Sequence, residues 1–316
     1  MLTIVGTGAM ATLFAARLGR HTPITMLGSW GEAVTAINRD GVHVDSGAGH
    51  EIVRPSTSLG AGVTATTDPA QCAGSRFALV LVKSWQTARA AAQIKSFLPS
   101  DGVALTLQNG LGNFETLAAE LGADRVALGI TTQGATLIGP GHVREGGRGP
   151  THVADHPRLG PLIDLLRVAD FDVHVASDVT SLVWGKLVIN AAINPLTAIL
   201  RVPNGELLNR PDALALMDAA AREVASVADA KGIVLPFPDP AARAREVAQA
   251  TAGNCSSMFQ DILRGAMTEV DAINGAVVRE GAVAGVPVPV NETLYRLVRA
   301  VLITDKADLQ SLISNL

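Results

Sequence analysis

The sequence is poor in cysteine and has no block of basic residues, and these shortages exclude several classes of protein. Its two cysteines, Cys72 and Cys255, are too few for a disulfide scaffold in 316 residues, so we expect free thiols in a reducing compartment. No group of cysteines and histidines has the spacing of metal ligands, and none of the seven histidines is predicted to bind a metal. The chain has a net charge of −4, so nucleic acid is not an expected partner.

Long apolar runs are also absent. No uninterrupted run reaches the roughly 18 residues of a membrane span, so no membrane partner is expected. The N-terminal segment superficially resembles a signal peptide, but Arg17 and Arg20 follow its apolar run instead of preceding it. With 48% hydrophobic and 17% charged residues, the sequence predicts a compact cytoplasmic protein, long enough for two domains.

The chain begins with the pattern of a dinucleotide-binding turn. A short apolar strand is predicted at Leu2–Val5, and a helical run follows the turn. In the G-x-G-x-x-A pattern, Gly6 permits the tight turn, Gly8 lets a pyrophosphate approach the backbone, and Ala11 allows the helix and the strand to pack closely. Free N–H groups at the helix start would bind the anion. The residues of the turn are Gly6, Thr7, Gly8, Ala9, Met10 and Ala11.

The end of the second predicted strand, Ile24–Leu27, normally distinguishes NAD from NADP. An acidic residue there holds the ribose hydroxyls of NAD, whereas an arginine accommodates the additional phosphate of NADP. This chain has Gly28-Ser29-Trp30, which supplies neither. Ser29 could donate a hydrogen bond to a phosphate and Trp30 could stack on adenine, or both are ordinary loop residues. This position leaves the choice of cofactor open.

Further strands alternate with helical patterns up to residue 177. Glycine-rich stretches within 42–66 and 134–149 are predicted to add short strands, turns and hairpins. Lys83 and Gln108-Asn109 follow strand ends, where ligands meet a parallel sheet. This alternation predicts an α/β fold, in which residues 1–177 form a Rossmann-like, doubly wound parallel sheet that binds the dinucleotide. The other predicted strands are 77–82, 103–107, 126–130 and 173–175, and the helices are 86–97 and 157–168.

Strand patterns vanish after Asp178, and residues 178–316 are predicted to form an all-α domain that binds substrate and carries the catalytic residues. Its apolar helices could pair between two copies of the chain, giving a homodimer, or could equally form the core of one copy. The predicted helices are 179–200, 211–231, 240–251, 257–284 and 291–302.

The segment 184–208 places one lysine and three asparagines in an otherwise apolar run. Lys186, Asn190 and Asn194 are spaced four residues apart, so on a helix they share one face. Unpaired buried amides cost roughly 1–3 kcal/mol each, and a bound polar ligand is one source of partners. Pro195 is expected to push Asn194 out of helical geometry and to kink the chain, opening a pocket. The alternative is a helix whose amides merely cap a bend, but the combination with Asn204 favours a ligand.

Two further segments of the second half point to a site. Ser257 and Gln260 have the spacing of a capping box, so Ser257 is predicted to be the N-cap of the following helix. Such a helix start suits a substrate carboxylate, although a cap without a ligand has the same sequence. Glu269 and Ile273 are predicted to share the inward face of that helix. A buried carboxylate usually has a cationic partner, and Lys186 is the natural candidate.

With these segments, the chain resembles the ketopantoate reductase (2-dehydropantoate 2-reductase) family over nearly its whole length. The glycine turn is generic, whereas the lysine–asparagine segment combined with S-S-M and T-E-V-D is highly specific. The matching segments are GTGAMA at 6–11, VKSWQ at 82–86, QNGLG at 108–112, KLVINAAINPLTAI at 186–199, PNGEL at 203–207, NCSSMFQDI at 254–262 and TEVDAING at 268–275.

The resemblance implies NAD(P)H-dependent reduction of 2-dehydropantoate to pantoate, a step toward pantothenate and coenzyme A. It implies that Lys186 protonates the developing alkoxide and that Glu269 lies beside this lysine and the cofactor ribose. NADPH is the implied cofactor, but the family commonly has an arginine where this chain has Ser29, so NAD is not excluded. The implied substrate residues are Asn190, Asn194, Asn204 and Ser257, and the cofactor residues outside the glycine turn are Ser29, Lys83, Asn109, Ala135 and Glu269.

Two other functions stay open from the sequence. A related reductase acting on another small branched 2-oxo acid would share these features. A nicotinamide-binding sensor without turnover would not need Lys186 and Glu269 together, so their joint presence argues against it.

Overall fold

The computed structural model describes residues 2–55 and 60–303. The part of the predicted 42–66 segment that spans 56–59 lies outside the described residues, as does the end of the predicted second domain beyond 303. The chain divides into two compact units. The first comprises the chain up to Gln108 together with Gly112–Val179, and the second runs from Thr180 and includes Asn109–Leu111.

The first unit contains the predicted sheet. Its strands are β1 (Leu2–Val5), β2 (Pro23–Leu27), β3 (Val42–Ser46), β4 (Gly49–Val53), β5 (Gly62–Thr66), β6 (Phe77–Val80), β7 (Val103–Thr106), β8 (Val126–Thr131), β9 (Ala135–Gly139), β10 (His142–Glu145), β11 (Thr151–Ala154) and β12 (Val173–Ala176). Eight of them form the main sheet in the order β12-β11-β8-β7-β6-β1-β2-β5. The run from β8 to β5 is parallel, whereas β11 is antiparallel to β8. The predicted fold class is confirmed.

A second sheet, in the order β4-β3-β10-β9, is built from the glycine-rich stretches. The helices of the first unit are α1 (Ala9–Leu18), α2 (Gly31–Asp40), α3 (Thr87–Phe97), α4 (Asn113–Leu121) and α5 (Gly160–Val168). Helix α1 contacts strands of both sheets, and all its residues from Ala11 to Leu18 are buried. Even Arg17 is 7% exposed, and its guanidinium pairs with Glu145 of β10.

The central parallel strands end at the same level of the sheet. Val5 pairs with both Leu27 and Val80, and Val80 pairs with Thr106. The segments that follow these strands therefore begin at one edge of the sheet, where ligands of doubly wound sheets bind. They carry the glycine turn, Ser29, Lys83 and Gln108.

The described part of the second unit is helical. Its helices are α6 (Val179–Leu200), α7 (Pro211–Ala230), α8 (Pro240–Ala250), α9 (Ser257–Arg264), α10 (Asn274–Ala284) and α11 (Pro289–Ile303). The single helix predicted at 257–284 is wrong. Gly265 adopts a left-handed conformation (φ +64°) that ends α9, and α10 begins only at Asn274. The Gly265 and Ala266 N–H groups close the end of α9, and the Ala272 and Ile273 N–H groups donate to the Glu269 carbonyl in the turn before α10.

Helix α6 lies at the centre of the second unit. Among the described residues it is the one helix long and apolar enough to cross a membrane, and 67% of its most apolar window is buried in the protein. This burial is that of a core helix.

Pro195 lies inside α6, and the helix continues through it. The expectation that Asn194 leaves helical geometry is therefore wrong. Pro195 has no N–H to offer the Ala191 carbonyl, but Asn274 Nδ2 donates to this carbonyl at 3.0 Å. The same nitrogen lies 3.0 Å from Asn291 Oδ1. A side chain from α10 thus replaces the backbone bond that proline removes.

This replacement predicts a conditional stability effect. Asn274→Ala should lower the free energy of unfolding by about 2–3 kcal/mol, because it leaves the Ala191 carbonyl unpaired. In a Pro195→Ala background the loss should be smaller, since residue 195 then supplies its own N–H. Urea unfolding of the four combinations measures the difference. Exposed Asn209→Ala is the control, expected to change stability by less than about 0.5 kcal/mol; equal losses in both backgrounds would contradict the interpretation.

Candidate active site

One face of α6 carries Lys186, Asn190 and Asn194 at intervals of about one turn. Asn194 is 7% exposed, and its carboxamide makes no hydrogen bond within the described residues. The helix around it is otherwise apolar, so water or a bound ligand has to supply the partners of this amide.

Lys186 is held near a carboxylate. Burial lowers the pKa of its ammonium to about 8 from the ordinary 10.5, and the charge of Glu269 opposes this shift. Glu269 is 6% exposed and lies in the turn before α10, where the Ile273 N–H donates to its carbonyl at 3.1 Å. The predicted helix is absent at Glu269, but this turn keeps Glu269 and Ile273 both buried. The site therefore combines a partly buried cation with a buried anion.

Asn109 reaches this carboxylate through a short loop. Its Nδ2 donates to Glu269 Oε2 at 3.4 Å, and the Leu111 N–H donates to the Ala272 carbonyl at 2.9 Å. Gly110 between them has φ +81°, and a Cβ there would lie 2.4 Å from the Ala272 oxygen. Glycine is thus required at this position.

The start of α9 differs from the sequence prediction. Ser256, not Ser257, is the N-cap: its Oγ accepts from the Phe259 N–H at 3.1 Å and lies 2.7 Å from Thr197 Oγ1. Gln260 Nε2 donates to the Cys255 carbonyl instead of closing a capping box. The Thr197 contact docks α9 onto α6 one turn beyond Asn194. Ser257 is left exposed in the first turn of α9.

Asn204 has a structural contact in addition to its predicted role. Its Nδ2 donates to Thr251 Oγ1 at 2.9 Å, and its N–H donates to the Asn254 carbonyl at 3.0 Å. It therefore fixes the segment that leads into α9. Its buried Oδ1 has no hydrogen-bond partner within the described residues, so its role toward a substrate stays a prediction.

In the first unit, the glycine turn has the geometry of an anion site. Gly6 has φ +133°, and a Cβ there would lie 3.1 Å from the backbone of Leu81. A Cβ on Gly8, by contrast, would meet no protein atom within 4 Å, so the backbone is open to a ligand. Helix α1 has Gly8 as its N-cap, no side-chain cap and no acidic residue in its first turn. Its first N–H groups thus suit a pyrophosphate.

Helix α2 begins at Gly31, two residues after Ser29. Ser29 is exposed, and Trp30 is the N-cap without a side-chain cap bond. Glu32 is the acidic residue of the first turn of α2, and its Oε2 accepts a hydrogen bond from Trp30 Nε1 at 3.3 Å. The remaining predicted cofactor residues, Lys83 and Ala135, are both partly exposed, the first beyond β6 and the second at the start of β9.

Sequence reasoning gave little weight to Gln108, yet it links two strand ends. Its Nε2 donates to the Val82 carbonyl and to Thr87 Oγ1, both at 2.9 Å, and its Oε1 accepts from Thr106 Oγ1 at 3.0 Å. These bonds fix the backbone immediately before Lys83. The signal available in the sequence was a carboxamide directly after a buried strand.

Replacing Ser256 or Ser257 by alanine should affect the free energy of unfolding differently. Ser256→Ala should lower the free energy of unfolding by about 1–2 kcal/mol, because it removes a cap and the Thr197 bond. Ser257→Ala should change stability by less than about 0.5 kcal/mol, since its side chain is exposed. Thermal or urea unfolding of both variants measures this. The reverse order of the two effects would restore Ser257 as the cap.

Comparison with known proteins gives a consistent result. The family described as "Ketopantoate reductase PanE/ApbA" matches residues 2–158, and its C-terminal part matches residues 178–302. A 2-dehydropantoate 2-reductase of Halobacterium salinarum is 36% identical over 306 residues, covering 94% of this chain and 97% of its own length.

Solved structures agree. A PanE/ApbA family ketopantoate reductase from Ralstonia eutropha JMP134 has a TM-score of 0.86 and 32% identity, with 96% of this chain and 98% of that chain covered. A D-mandelate dehydrogenase with NADH and anilino(oxo)acetate has a TM-score of 0.85 and 25% identity, with coverage of 96% and 98%. The two family matches and the coverage of these relatives together show that the chain belongs to the ketopantoate reductase family.

Proposed function

We propose that this chain catalyses the NADPH-dependent reduction of 2-dehydropantoate to pantoate. Its membership of a family of nicotinamide-dependent reductases supports the reaction class. The observation that carries the proposal is the partly buried Lys186 ammonium, with its lowered pKa, near the buried Glu269 carboxylate on a helix face with two carboxamides. A 2-oxo acid needs such a proton donor when its carbonyl oxygen becomes an alkoxide.

Lys186 is the proton donor in this proposal. NADPH, when bound, would supply the hydride for the 2-oxo carbon, so that negative charge develops on the carbonyl oxygen. The ammonium of Lys186 stabilises that charge and transfers a proton to it, leaving a 2-hydroxy acid and a neutral amine that regains its proton from solvent. Glu269 keeps the amine charged between turnovers, and Asn109 positions Glu269.

The substrate carboxylate is assigned to the start of α9. The exposed Ser257 hydroxyl and the N-terminal N–H groups of this helix suit an anion. Asn190 and Asn194 would hydrogen-bond the carbonyl and hydroxyl oxygens of the substrate, which gives the buried Asn194 amide its partner. Asn204 would act from the turn that it stabilises.

The first unit is assigned to the cofactor. Residues 6–11 would hold the pyrophosphate, and Lys83 and Ala135 would contact the remainder, together with Asn109 of the second unit. We assign the 2′-phosphate of NADPH to the Ser29 hydroxyl and the start of α2, which lacks a side-chain cap. Glu32 opposes that charge, and the related D-mandelate dehydrogenase structure holds NADH, so NADH is the necessary comparison. We assign the reaction to the cytoplasm.

The test is oxidation of NADPH and, separately, NADH by the wild-type chain with 2-dehydropantoate. We expect turnover that is faster with NADPH. Lys186→Ala should reduce kcat by about 10²–10⁴, because general acid catalysis contributes this much. Lys231→Ala, which removes a lysine elsewhere in the second unit, should leave kcat unchanged.

The outcomes separate the parts of the proposal. Normal turnover by Lys186→Ala would contradict the assignment of Lys186 as the proton donor. Activity on other branched 2-oxo acids that exceeds activity on 2-dehydropantoate would change the substrate but not the chemistry. Cofactor binding without turnover on any 2-oxo acid would contradict the enzyme assignment.

The pH dependence follows from the lysine pKa of about 8. The protonated form is the active acid, so kcat/KM should be full below this pH and fall as the pH rises through it. Glu269→Gln removes the charge that raises the pKa, so the alkaline limb should move to lower pH. Glu206→Gln, an exposed acid of the same unit, is the control. An unmoved limb in Glu269→Gln would contradict the electrostatic role of Glu269.

A further inference from the structure

Three histidines and an aspartate from separate strands share one face of the small sheet. His43 and Asp45 alternate along β3, so both side chains lie on the same face. His50 of β4 pairs with Asp45, and His142 of β10 pairs with His43. The opposite face carries the buried valines that pack toward α1. Sequence spacing showed no such group, because one member lies about a hundred positions from the others.

Three of these four side chains are close enough to share one ion. Ligand atoms of Asp45, His50 and His142 all lie within 4.8 Å of one another. Asp45 Oδ1 lies 2.7 Å from His50 Nδ1, Asp45 Oδ2 lies 3.0 Å from His142 Nε2, and His43 Nδ1 lies 3.2 Å from His50 Nε2.

The imidazole rings are spaced as a tetrahedral metal requires. Their centroids are separated by 5.3 Å for His43 and His50, 5.5 Å for His50 and His142, and 5.7 Å for His43 and His142. Three imidazoles bound at ~2.0–2.1 Å to one zinc ion would have centroids about 5.2 Å apart.

The contact of His142 with Asp45 also suits a shared ion. The Nε2 atom of His142 is buried and faces Asp45 Oδ2 at 3.0 Å, without the alignment of a hydrogen bond. A metal ion would use the lone pair of this nitrogen and the charge of the carboxylate. Asp45 would serve as a ligand or would orient the His50 ring through Nδ1, as carboxylates commonly do beside metal-bound histidines.

We propose that Asp45, His50 and His142, with His43 beside them, form a binding site for a divalent transition-metal ion such as Zn²⁺. Imidazole-rich sets favour zinc and its neighbours over Mg²⁺ or Ca²⁺, which prefer oxygen ligands. The ion would join β4, the edge strand of the small sheet, to β3 and β10. Its role is structural, since none of these residues belongs to the proposed catalytic set.

The test is a calorimetric titration of the metal-free full chain with Zn²⁺. In a second experiment, the absorption spectrum of bound Co²⁺ reports which types of ligand hold the ion. We expect one site in the wild-type chain and a rise in Tm on addition of Zn²⁺. His142→Ala should weaken binding at least about tenfold and abolish the Tm rise. His142→Gln, which keeps a polar side chain, should behave like His142→Ala.

The controls separate this site from other donors. His21→Ala removes an exposed histidine elsewhere and should bind Zn²⁺ like the wild type. Cys72→Ser and Cys255→Ser should also bind normally, and the Co²⁺ spectrum should lack thiolate bands. Equal Zn²⁺ affinity in the wild type and His142→Ala, or no measurable binding in the wild type, would overturn the proposal.

Discussion

The chemistry proposed for the second unit depends on keeping one ammonium group protonated on an otherwise apolar helix. A lysine pKa of about 8 in place of 10.5 represents roughly 3 kcal/mol of lost preference for the charged form, at about 1.4 kcal/mol per tenfold. Without Glu269 the loss would be larger, and the amine would be neutral at lower pH. The carboxylate is itself buried, so it needs the hydrogen bond from Asn109. The charge of Lys186 on α6 is therefore matched by Glu269 in the turn before α10, and Glu269 in turn by Asn109 in the loop after β7.

This requirement also explains why the chain breaks its helix before Asn274. In a continuous helix, the Ala272 carbonyl would be consumed by a backbone bond four residues on. Because Ala272 instead precedes α10, its oxygen accepts the Leu111 N–H and anchors the loop that carries Asn109. The left-handed Gly265 and the close approach at Gly110 are the two glycine positions that make this packing possible. The helix break is thus part of the site.

Local sequence patterns predicted many of the strands, turns and helix faces of this molecule. They did not predict hydrogen bonds between residues that are far apart in the sequence. The strand at Leu2–Val5, the turn at Gly6 and the shared face of Lys186 and Asn194 follow from periodicity and residue type, which act between near neighbours. The use of Asn274 to replace the bond lost at Pro195 depends on a contact across 83 residues. The cap at Ser256 in place of Ser257 depends on Thr197, 59 residues away. Such pairings have no periodic signal in a single sequence.

The composition of the α6 face suits the acid catalysis that we propose for Lys186. An acid whose pKa lies near the working pH is mostly protonated and still releases its proton readily, whereas an ordinary lysine holds it too tightly. A second cation at Asn190 or Asn194 would lower the lysine pKa further and leave the amine neutral. An anion at either position would raise the pKa and repel a substrate carboxylate. Carboxamides bind polar oxygens without adding charge, so they leave burial and Glu269 as the two opposing effects that set the lysine pKa.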